Sequence, residues 1–266
     1  MKTATIDTRT MAYHEAGQGP ALLLVHGFPL DHSMWNEQIA SLSNQYRVIA
    51  PDLRGFGKSD GAGEVTTMAD FADDVAKLVD HLGIEEPIHF CGLSMGGYVA
   101  WQFFLRHRAK LASLMVCDSR AAADSPEAAE GRRKTAAKVL AEGSAVVADA
   151  MLPKLFGEWV RSAMPEVVEA TDRVMRRTSP VAVAAALVGM AARIDFTPHL
   201  AKVDLPTLIV CGEHDVISPL AEMKTIADAI PGAKFCAVEG AGHMSPLEKP
   251  QIVSGAIREF LTSAMA

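Results

Sequence analysis

The sequence predicts a doubly wound α/β fold, in which helices cover both faces of a mostly parallel β-sheet. Two observations predict it. Short apolar runs recur along the chain, and nearly all of them end at a glycine or an aspartate. Segments with helical spacing of apolar residues lie between these runs. Buried strands that alternate with helices are typical of a parallel sheet covered on both faces.

Six apolar runs are predicted strands, because each is continuously apolar rather than alternating with polar residues. In chain order they are residues 20–27 (PALLLVHG), 47–52 (RVIAPD), 87–92 (PIHFCG), 111–118 (LASLMVCD), 206–212 (PTLIVCG) and 233–240 (AKFCAVEG). Their lengths suit strands that are buried on both faces of a sheet.

A helix is predicted within residues 66–83, TTMADFADDVAKLVDHLG. Its apolar residues recur at intervals of three and four, which places them on one face of a helix. Thr67 and Asp70 have the spacing of a capping box at the start of a helix, and Gly83 is suited to end it.

Residues 119–199 interrupt the alternation of strands and helices. The segment is rich in alanine and contains no convincing strand. Four prolines are predicted to start or stop helices within it: Pro126, Pro153, Pro165 and Pro180. We therefore predict a helical cap over the carboxyl ends of the strands, inserted into a core domain that is formed by residues 1–118 and 200–266.

Composition excludes several classes of partner. The 266-residue chain carries a formal net charge of −7, and its one dense basic run, Arg132–Lys134, is interpreted as a solvated helix face. We expect no nucleic-acid partner. No apolar segment is long enough to span a membrane and no secretory leader is recognised, so a cytoplasmic protein is expected. Its four cysteines lack metal-site spacing and are predicted to be buried free thiols.

The segment FCGLSMGGYVAW places Ser94 in a Gly-x-Ser-x-Gly motif between a predicted strand and a predicted helix. A serine at such a turn adopts a strained backbone conformation, and glycines on both sides avoid a clash. The Ser94 hydroxyl is then exposed as a candidate nucleophile. The N–H of Met95 lies at a helix N-terminus, where it can face a developing negative charge.

A serine nucleophile needs a base, and His243 is the best candidate among nine histidines. It follows the last apolar run by a short loop, which brings it to the carboxyl edge of the sheet together with Ser94. Two carboxylates compete to orient it. We favour Asp215, which gives the chain order Ser, Asp, His, over Asp118, which ends another strand at the same edge.

The segment LLLVHGFPLDHSMW supplies a second candidate N–H donor. After the predicted strand, His26 and Gly27 form a turn that directs the N–H of Phe28 into the site, whereas Pro29 has no N–H. His26 is interpreted as a structural residue. Trp35 is interpreted as part of a pocket wall.

These segments together resemble the α/β-hydrolase family over essentially the whole chain. The resemblance rests on HGFPLDHSMW, PDLRGFGKSD (51–60), GLSMGG (92–97), GEHDVISP (212–219) and GAGHMSP (240–246). It implies an eight-stranded, mostly parallel sheet with a helical cap after the sixth strand. It also implies a Ser94–His243–Asp215 triad and an oxyanion hole formed by the Phe28 and Met95 amides. Asp52 and Arg54 fall in a structural turn of that family.

The resemblance implies a serine hydrolase of carboxylic esters or lactones, with neither a cofactor nor a metal. Its elbow resembles those of 3-oxoadipate enol-lactonases and small carboxylesterases, and HGFPLD resembles the cofactor-free haloperoxidases or perhydrolases. A carbon–carbon bond hydrolase and a slowly turning-over ligand receptor remain alternatives. We expect a small-molecule substrate and a possible homo-oligomer. Four residues are candidates for the substrate pocket: Trp35, Phe156, Trp159 and Met244.

Overall fold

One eight-stranded sheet forms the centre of the computed structural model, which describes residues 1–61 and 63–264. The order of strands across the sheet is β1-β2-β4-β3-β5-β6-β7-β8. The strands are β1 (Lys2–Ile6), β2 (Arg9–Ala16), β3 (Ala21–Val25), β4 (Arg47–Pro51), β5 (Ile88–Leu93), β6 (Leu111–Cys117), β7 (Thr207–Gly212) and β8 (Lys234–Val238). All six strands predicted from apolar runs are present, as β3 to β8.

Strands β3 to β8 pair in parallel, so their carboxyl ends meet at one edge of the sheet. Strands β1 and β2 form an antiparallel hairpin, and β2 joins the sheet antiparallel to β4. The apolar runs did not predict this hairpin, because β1 alternates buried and exposed residues and lies at the edge of the sheet. The eight strands implied by the family resemblance are confirmed.

Eleven helices lie within the described ranges. They are α1 (Asn36–Leu42), α2 (Met68–His81), α3 (Met95–His107), α4 (Pro126–Glu142), α5 (Ala145–Leu155), α6 (Glu158–Ala163), α7 (Pro165–Arg177), α8 (Pro180–Ala191), α9 (Leu220–Ala229), α10 (Ser245–Glu248) and α11 (Pro250–Ala264). Short 3₁₀ turns cover His32–Trp35, Arg108–Lys110 and Thr197–Lys202. No described helix is both long and apolar enough to cross a bilayer.

Helix α2 confirms the capping prediction. The Thr67 hydroxyl accepts the Asp70 N–H, and the Asp70 carboxylate accepts the Thr67 N–H, so two otherwise free N–H groups are satisfied. Gly83 follows the helix with a φ of +63°, a conformation that favours glycine.

Helices α4 to α8 lie between β6 and β7, and residues 119–199 contain no strand. Pro126, Pro165 and Pro180 each begin a helix, as predicted. Pro153 does not: it lies inside α5, near its carboxyl end. Pro153 has no N–H to donate to the carbonyl oxygen four residues earlier, and α5 ends two residues beyond it, at Leu155.

All four cysteines are free thiols. Cys91, Cys117 and Cys211 are buried in the sheet, whereas Cys236 is only half-buried, which differs from the expectation of full burial. The reason is the position of Cys236 on β8, the strand at the opposite edge of the sheet from β1.

Candidate active site

Ser94 occupies a tight turn between β5 and α3. Its φ of +53° is unusual for a residue with a side chain and marks local strain. A Cβ on Gly92 would lie 2.2 Å from the Gly96 carbonyl oxygen, and a Cβ on Gly96 would lie 2.3 Å from that of Val25. Both positions therefore require glycine, as the motif predicts.

The backbone of Ser94 is held at the end of the neighbouring strand. Its N–H donates to the Cys117 carbonyl oxygen at 2.9 Å, and its own carbonyl oxygen accepts the Ser119 hydroxyl at 2.7 Å. The side chain remains half-buried and free to face the loops above the sheet. Backbone hydrogen bonds thus position Ser94 and leave its side-chain hydroxyl available to another partner.

His243 reaches that hydroxyl from the loop that follows β8. Its Nε2 atom lies 2.9 Å from Ser94 Oγ, and the imidazole is almost completely buried. The structure therefore brings together the serine and the histidine that the sequence singled out.

Asp215 orients the imidazole from the other side. Asp215 Oδ2 lies 2.8 Å from His243 Nδ1, and Oδ1 accepts the N–H groups of Ile217 and Ser218 at 2.7 and 2.9 Å. A carboxylate at Nδ1 places the imidazole proton on that nitrogen. Nε2 is then the free acceptor that faces the Ser94 hydroxyl.

Asp118, the competing carboxylate, has other partners. Its Oδ1 accepts the Gly212 N–H at 2.7 Å, and its Oδ2 is hydrogen-bonded to the Ser245 hydroxyl. Burial, together with the nearby charge of Asp215, raises the pKa of Asp118 well above its ordinary value. Asp118 therefore connects the start of α10, two residues after His243, to the end of β7, the strand that precedes Asp215.

The turn after β3 packs directly against the elbow. A Cβ on Gly27 would lie 3.4 Å from Ser94 Cβ, so no side chain separates the two turns. Gly27 donates its N–H to Met34 Sδ and accepts the Leu30 N–H. The N–H of Phe28, the residue after Gly27, has no acceptor within the described part of the chain.

Met95 is the first residue of α3, immediately after Ser94. An N–H in the first turn of a helix has no preceding helical carbonyl to accept it. The Phe28 and Met95 N–H groups thus have no backbone acceptor within the described part of the chain, and the helix dipole of α3 favours negative charge at its N-terminus.

His26 has the structural role that the sequence indicated. It is buried, its Nε2 accepts the Leu53 N–H at 3.0 Å, and its Nδ1 donates to the Gly27 carbonyl oxygen at 2.9 Å. Burial lowers the pKa of His26, which favours this neutral form. The ring ties the turn after β3 to the turn after β4.

Asp52 and Arg54, assigned to a structural turn, also have partners outside the site. Asp52 accepts the N–H groups of His32 and Lys58, and Arg54 pairs with the buried Asp74.

The four residues considered for the substrate pocket have different environments. Trp35, interpreted as part of a pocket wall, is completely buried in the apolar core, and that interpretation stays a prediction. Trp159 is 51% exposed, and the Lys249 ammonium lies 4.2 Å from its ring centre. Its exposure argues against a place in a buried substrate pocket. Phe156 and Met244 are buried, and a Cβ on Gly242, next to His243, would lie 2.9 Å from the Phe156 carbonyl carbon.

A mainly apolar groove of about 500 Å³ lies between α7 and the segment that follows the Gly27–Phe28 turn. Its apolar lining residues are Leu30, Met34, Met164, Val167, Ala170, Val174, Leu247 and Pro250, and its polar ones are Ser33, Asn36, Glu37, Glu166, Thr171 and Gln251. Met34 lines the groove and accepts the Gly27 N–H through its sulfur, whereas Ser94, Asp215 and His243 are not among the lining residues. The sequence did not indicate this groove, because its walls come from three distant segments.

Two groups of side chains bring together atoms of the types that bind metal ions. One is Asp31, His32 and Asp52; the other is Asp118, Cys211 and Asp215. Each carboxylate already has hydrogen-bonding or ionic partners, such as Arg177 for Asp31. These networks account for both groups without a metal ion.

Some residues that hold the site together were not predicted. Ser119 bonds the elbow, Ser245 bonds Asp118, and Glu248 bonds the loop that carries His243. Thr178, at the end of α7, donates its hydroxyl to the Pro29 carbonyl oxygen at 3.0 Å. Ser245 lies within the quoted GAGHMSP segment, whereas Ser119, Glu248 and Thr178 lie outside all the quoted motifs, so only proximity to those motifs was available as a signal for these three.

Comparison with known proteins identifies the family. The family model for the α/β hydrolase fold matches residues 20–250. A 3-oxoadipate enol-lactonase of Acinetobacter baylyi is 30% identical over 245 residues, which are 91% of this chain and 90% of that protein.

Solved structures agree. A thermophilic esterase from Thermogutta terrifontis, determined with malate bound, superposes with a TM-score of 0.96 at 45% identity and covers 97% of this chain and 95% of its own. The enol-lactonase from Burkholderia xenovorans LB400 superposes with a TM-score of 0.91 at 29% identity, over 98% of this chain and 100% of its own.

Proposed function

Because the chain belongs to the α/β-hydrolase family, among relatives that include esterases and enol-lactonases, we propose that it is a serine hydrolase of carboxylic esters or lactones. One observation carries the proposal: the continuous hydrogen-bonded chain from Asp215 through His243 to Ser94. A hydroxyl is a weak nucleophile at neutral pH, and this series of hydrogen bonds activates the hydroxyl of Ser94.

In the first half-reaction, Ser94 Oγ attacks the carbonyl carbon while His243 Nε2 takes the hydroxyl proton. The imidazolium that forms is stabilised by Asp215, which keeps its own negative charge. When the tetrahedral intermediate collapses, His243 returns the proton to the leaving alkoxide. The alcohol departs and an acyl ester on Ser94 remains; a lactone substrate instead keeps its new hydroxyl on the same acyl group.

The negative charge of the carbonyl oxygen develops beside the Phe28 and Met95 amides. Two preoriented N–H groups stabilise such an oxyanion by about 3–4 kcal/mol each, as judged from the loss of one donor. The position of Met95 at the start of α3 adds the helix dipole in the same direction.

Water completes the cycle. His243 removes a proton from a water molecule, the hydroxide attacks the acyl carbon, and the proton passes to Ser94 Oγ as the acid leaves. Every proton that is taken up in one step is returned in another, so the residues end in their starting states.

Helices α4 to α8, within residues 119–199, are proposed to form the cap over this site. The cap contacts the oxyanion turn through Thr178 and Pro29, and its segment at Phe156 contacts the loop of His243. We propose Phe156 and Met244 as apolar walls for the substrate.

Replacement of Ser94 tests the mechanism. With p-nitrophenyl acetate and butyrate, we expect the Ser94→Ala variant to lose about 10⁴-fold or more of the turnover number. Rapid quenching of the wild-type enzyme followed by mass spectrometry should find the acyl group on the peptide that contains Ser94. Unchanged turnover by the variant contradicts the mechanism, and turnover limited to a single cycle indicates the receptor alternative.

An enol-lactonase is the second candidate, and its support is the match to two lactonases over most of their lengths. A panel of five- and six-membered lactones, enol-lactones and linear esters of equal carbon number separates the two. A kcat/KM for enol-lactones that exceeds that for matched esters by tenfold or more favours the lactonase. Peracid formation from acetate and peroxide, assayed alongside, tests for perhydrolase activity.

A further inference from the structure

A buried glutamate on α10 connects the loop of His243 to the cap. Glu248 lies five residues after His243 and is 2% exposed. No part of the proposed chemistry uses it. A carboxylate with so little access to water requires partners that compensate for its lost hydration.

All the partners of Glu248 are backbone amides. Its Oε1 accepts the N–H groups of Gly242 at 2.9 Å and Met244 at 3.1 Å, and its Oε2 accepts the N–H of Gly157 at 2.8 Å. Gly242 and Met244 are the two neighbours of His243 in the chain. One carboxylate oxygen therefore holds the backbone on both sides of the histidine, and the other oxygen holds the cap.

The cap and the loop also touch through their backbones. Met244 shares its N–H with the Leu155 carbonyl oxygen at 3.1 Å, and a Cβ on Gly242 would lie 2.6 Å from the Gly157 nitrogen. We call the hydrogen bonds of Glu248 with Gly242, Met244 and Gly157, together with that of Met244 to Leu155, the clasp. Burial raises the pKa of Glu248, and the three peptide N–H groups oppose that shift by favouring the charged form.

We propose that Glu248 is a positioning residue, which sets the orientation of the His243 imidazole and couples it to the cap. The proposal rests on the proposed role of His243 as the base. The imidazole must meet Asp215 and Ser94 at once, with 2.8 and 2.9 Å contacts, and small rotations of its backbone break one of the two. Misplacement of a reacting group by about 1 Å costs about 10²-fold in rate.

Glutamine is the sharpest replacement, because it preserves the volume of the side chain. An amide has one oxygen acceptor and one NH₂ donor. Whichever way the new side-chain amide of the Glu248→Gln variant is turned, its NH₂ faces either the N–H groups beside His243 or the N–H of Gly157, and donor then opposes donor. Glu248→Gln therefore breaks at least one side of the clasp, either at His243 or at Gly157, without leaving a cavity.

The control is Asp74→Asn, the same exchange of a buried carboxylate for an amide at another place. Asp74 pairs with Arg9 and Arg54 and has no contact with the site. With p-nitrophenyl esters, we expect Glu248→Gln to lower kcat about 10²-fold with KM changed less than about threefold. Asp74→Asn should lower the thermal midpoint and leave kcat within about twofold of wild type. A kcat for Glu248→Gln within about twofold of wild type overturns the proposal.

A spectroscopic measurement separates this proposal from the proposed function. Protein labelled with ¹⁵N-histidine should show a downfield Nδ1–H signal for His243 bonded to Asp215, without any substrate. We expect the signal to shift or broaden in Glu248→Gln and to persist in Asp74→Asn. An unchanged signal in Glu248→Gln overturns the positioning role even if no ester is turned over. Full activity of Ser94→Ala contradicts the proposed function, whereas the Nδ1–H signal of His243 still tests the positioning role of Glu248.

If Glu248→Gln does not fold, Glu248→Asp decides. Aspartate keeps both acceptor oxygens but is one methylene shorter, so it cannot reach all three amides. We expect kcat to fall about tenfold, less than for a full misplacement of the histidine. Wild-type kcat together with an unchanged His243 signal in Glu248→Asp contradicts the proposal.

Discussion

The carboxyl groups of Asp118 and Asp215 lie within 4.8 Å of each other, yet only that of Asp215 is hydrogen-bonded to His243. Asp118 instead bonds the Gly212 N–H and the Ser245 hydroxyl. Two carboxylates so close together in a buried site do not both ionise readily. Burial and the nearby Asp215 carboxylate together raise the pKa of Asp118.

Amide replacements should distinguish the two carboxylates. Asp215→Asn allows the imidazole to take the wrong tautomer, so we expect the turnover number for p-nitrophenyl esters to fall about 10⁴-fold. Asp118→Asn resembles the protonated acid, with its oxygen on the Gly212 N–H and its NH₂ on the Ser245 hydroxyl, and should keep activity within a few-fold. The reverse ranking of the two variants assigns the orienting role to Asp118.

The same Asp118 should make stability depend on pH. Its folded-state pKa is raised, so the folded protein keeps a proton that the unfolded chain has released. Stability is therefore lost as the pH rises from the ordinary pKa of aspartate to the raised value, by up to about 1.4 kcal/mol per pH unit. Urea unfolding of wild type and Asp118→Asn across this range measures the difference. Parallel curves for the two proteins contradict the raised pKa.

Alanine at Gly96 should destabilise the fold, because the added Cβ meets the Val25 carbonyl oxygen at 2.3 Å. Neither backbone can move without disturbing the sheet, and we expect a loss of about 3 kcal/mol or more in urea unfolding. Gly131→Ala is the matched control, since its Cβ meets nothing within 4 Å on α4. That control should gain about 0.5–1 kcal/mol. Equal effects at the two positions exclude a close approach at the elbow.

The strain at Ser94 should appear as a difference between two inactive variants. Ser94→Ala keeps a side chain at a φ of +53°, whereas Ser94→Gly relaxes that conformation. We expect the glycine variant to be more stable than the alanine variant by about 1 kcal/mol, measured by urea unfolding at about 25 °C. If alanine is the more stable of the two, the turn stores no strain that arises from a side chain.

Much of the core could be predicted from the sequence, because its signals are local. Continuous apolar runs mark the strands β3 to β8, and the spacing of Thr67 and Asp70 marks the start of α2. The β1–β2 hairpin escaped this reasoning, since a strand at the edge of a sheet buries only part of its residues. The position of Pro153 inside α5 was not predicted, because the residues around a proline do not show whether the helix stops there or continues for a few more residues.

The site divides in the same way. The glycines around Ser94 are required by the local backbone conformation, so the turn at Ser94 could be predicted from neighbouring residues. The parallel sheet in turn predicts that the carboxyl ends of its strands meet at one edge. Which carboxylate meets His243 depends on how the loops after two different strands fold back over the sheet. The sequences of these loops do not specify that path. The full burial of Trp35 and the exposure of Trp159 likewise follow from packing between distant segments.

The sequence by itself determined the strands β3 to β8, the start of α2 and the turn that presents Ser94, because these depend on residues within a few positions of one another. It favoured Asp215 over Asp118 only through chain order, and the tertiary structure decided that choice and the contact of Glu248 with both Gly157 and the loop of His243. The contacts of Glu248 with Gly157 and of Ser94 with His243 join segments 91 and 149 residues apart in the chain, and they form only when the sheet and the helical segment 119–199 have assembled.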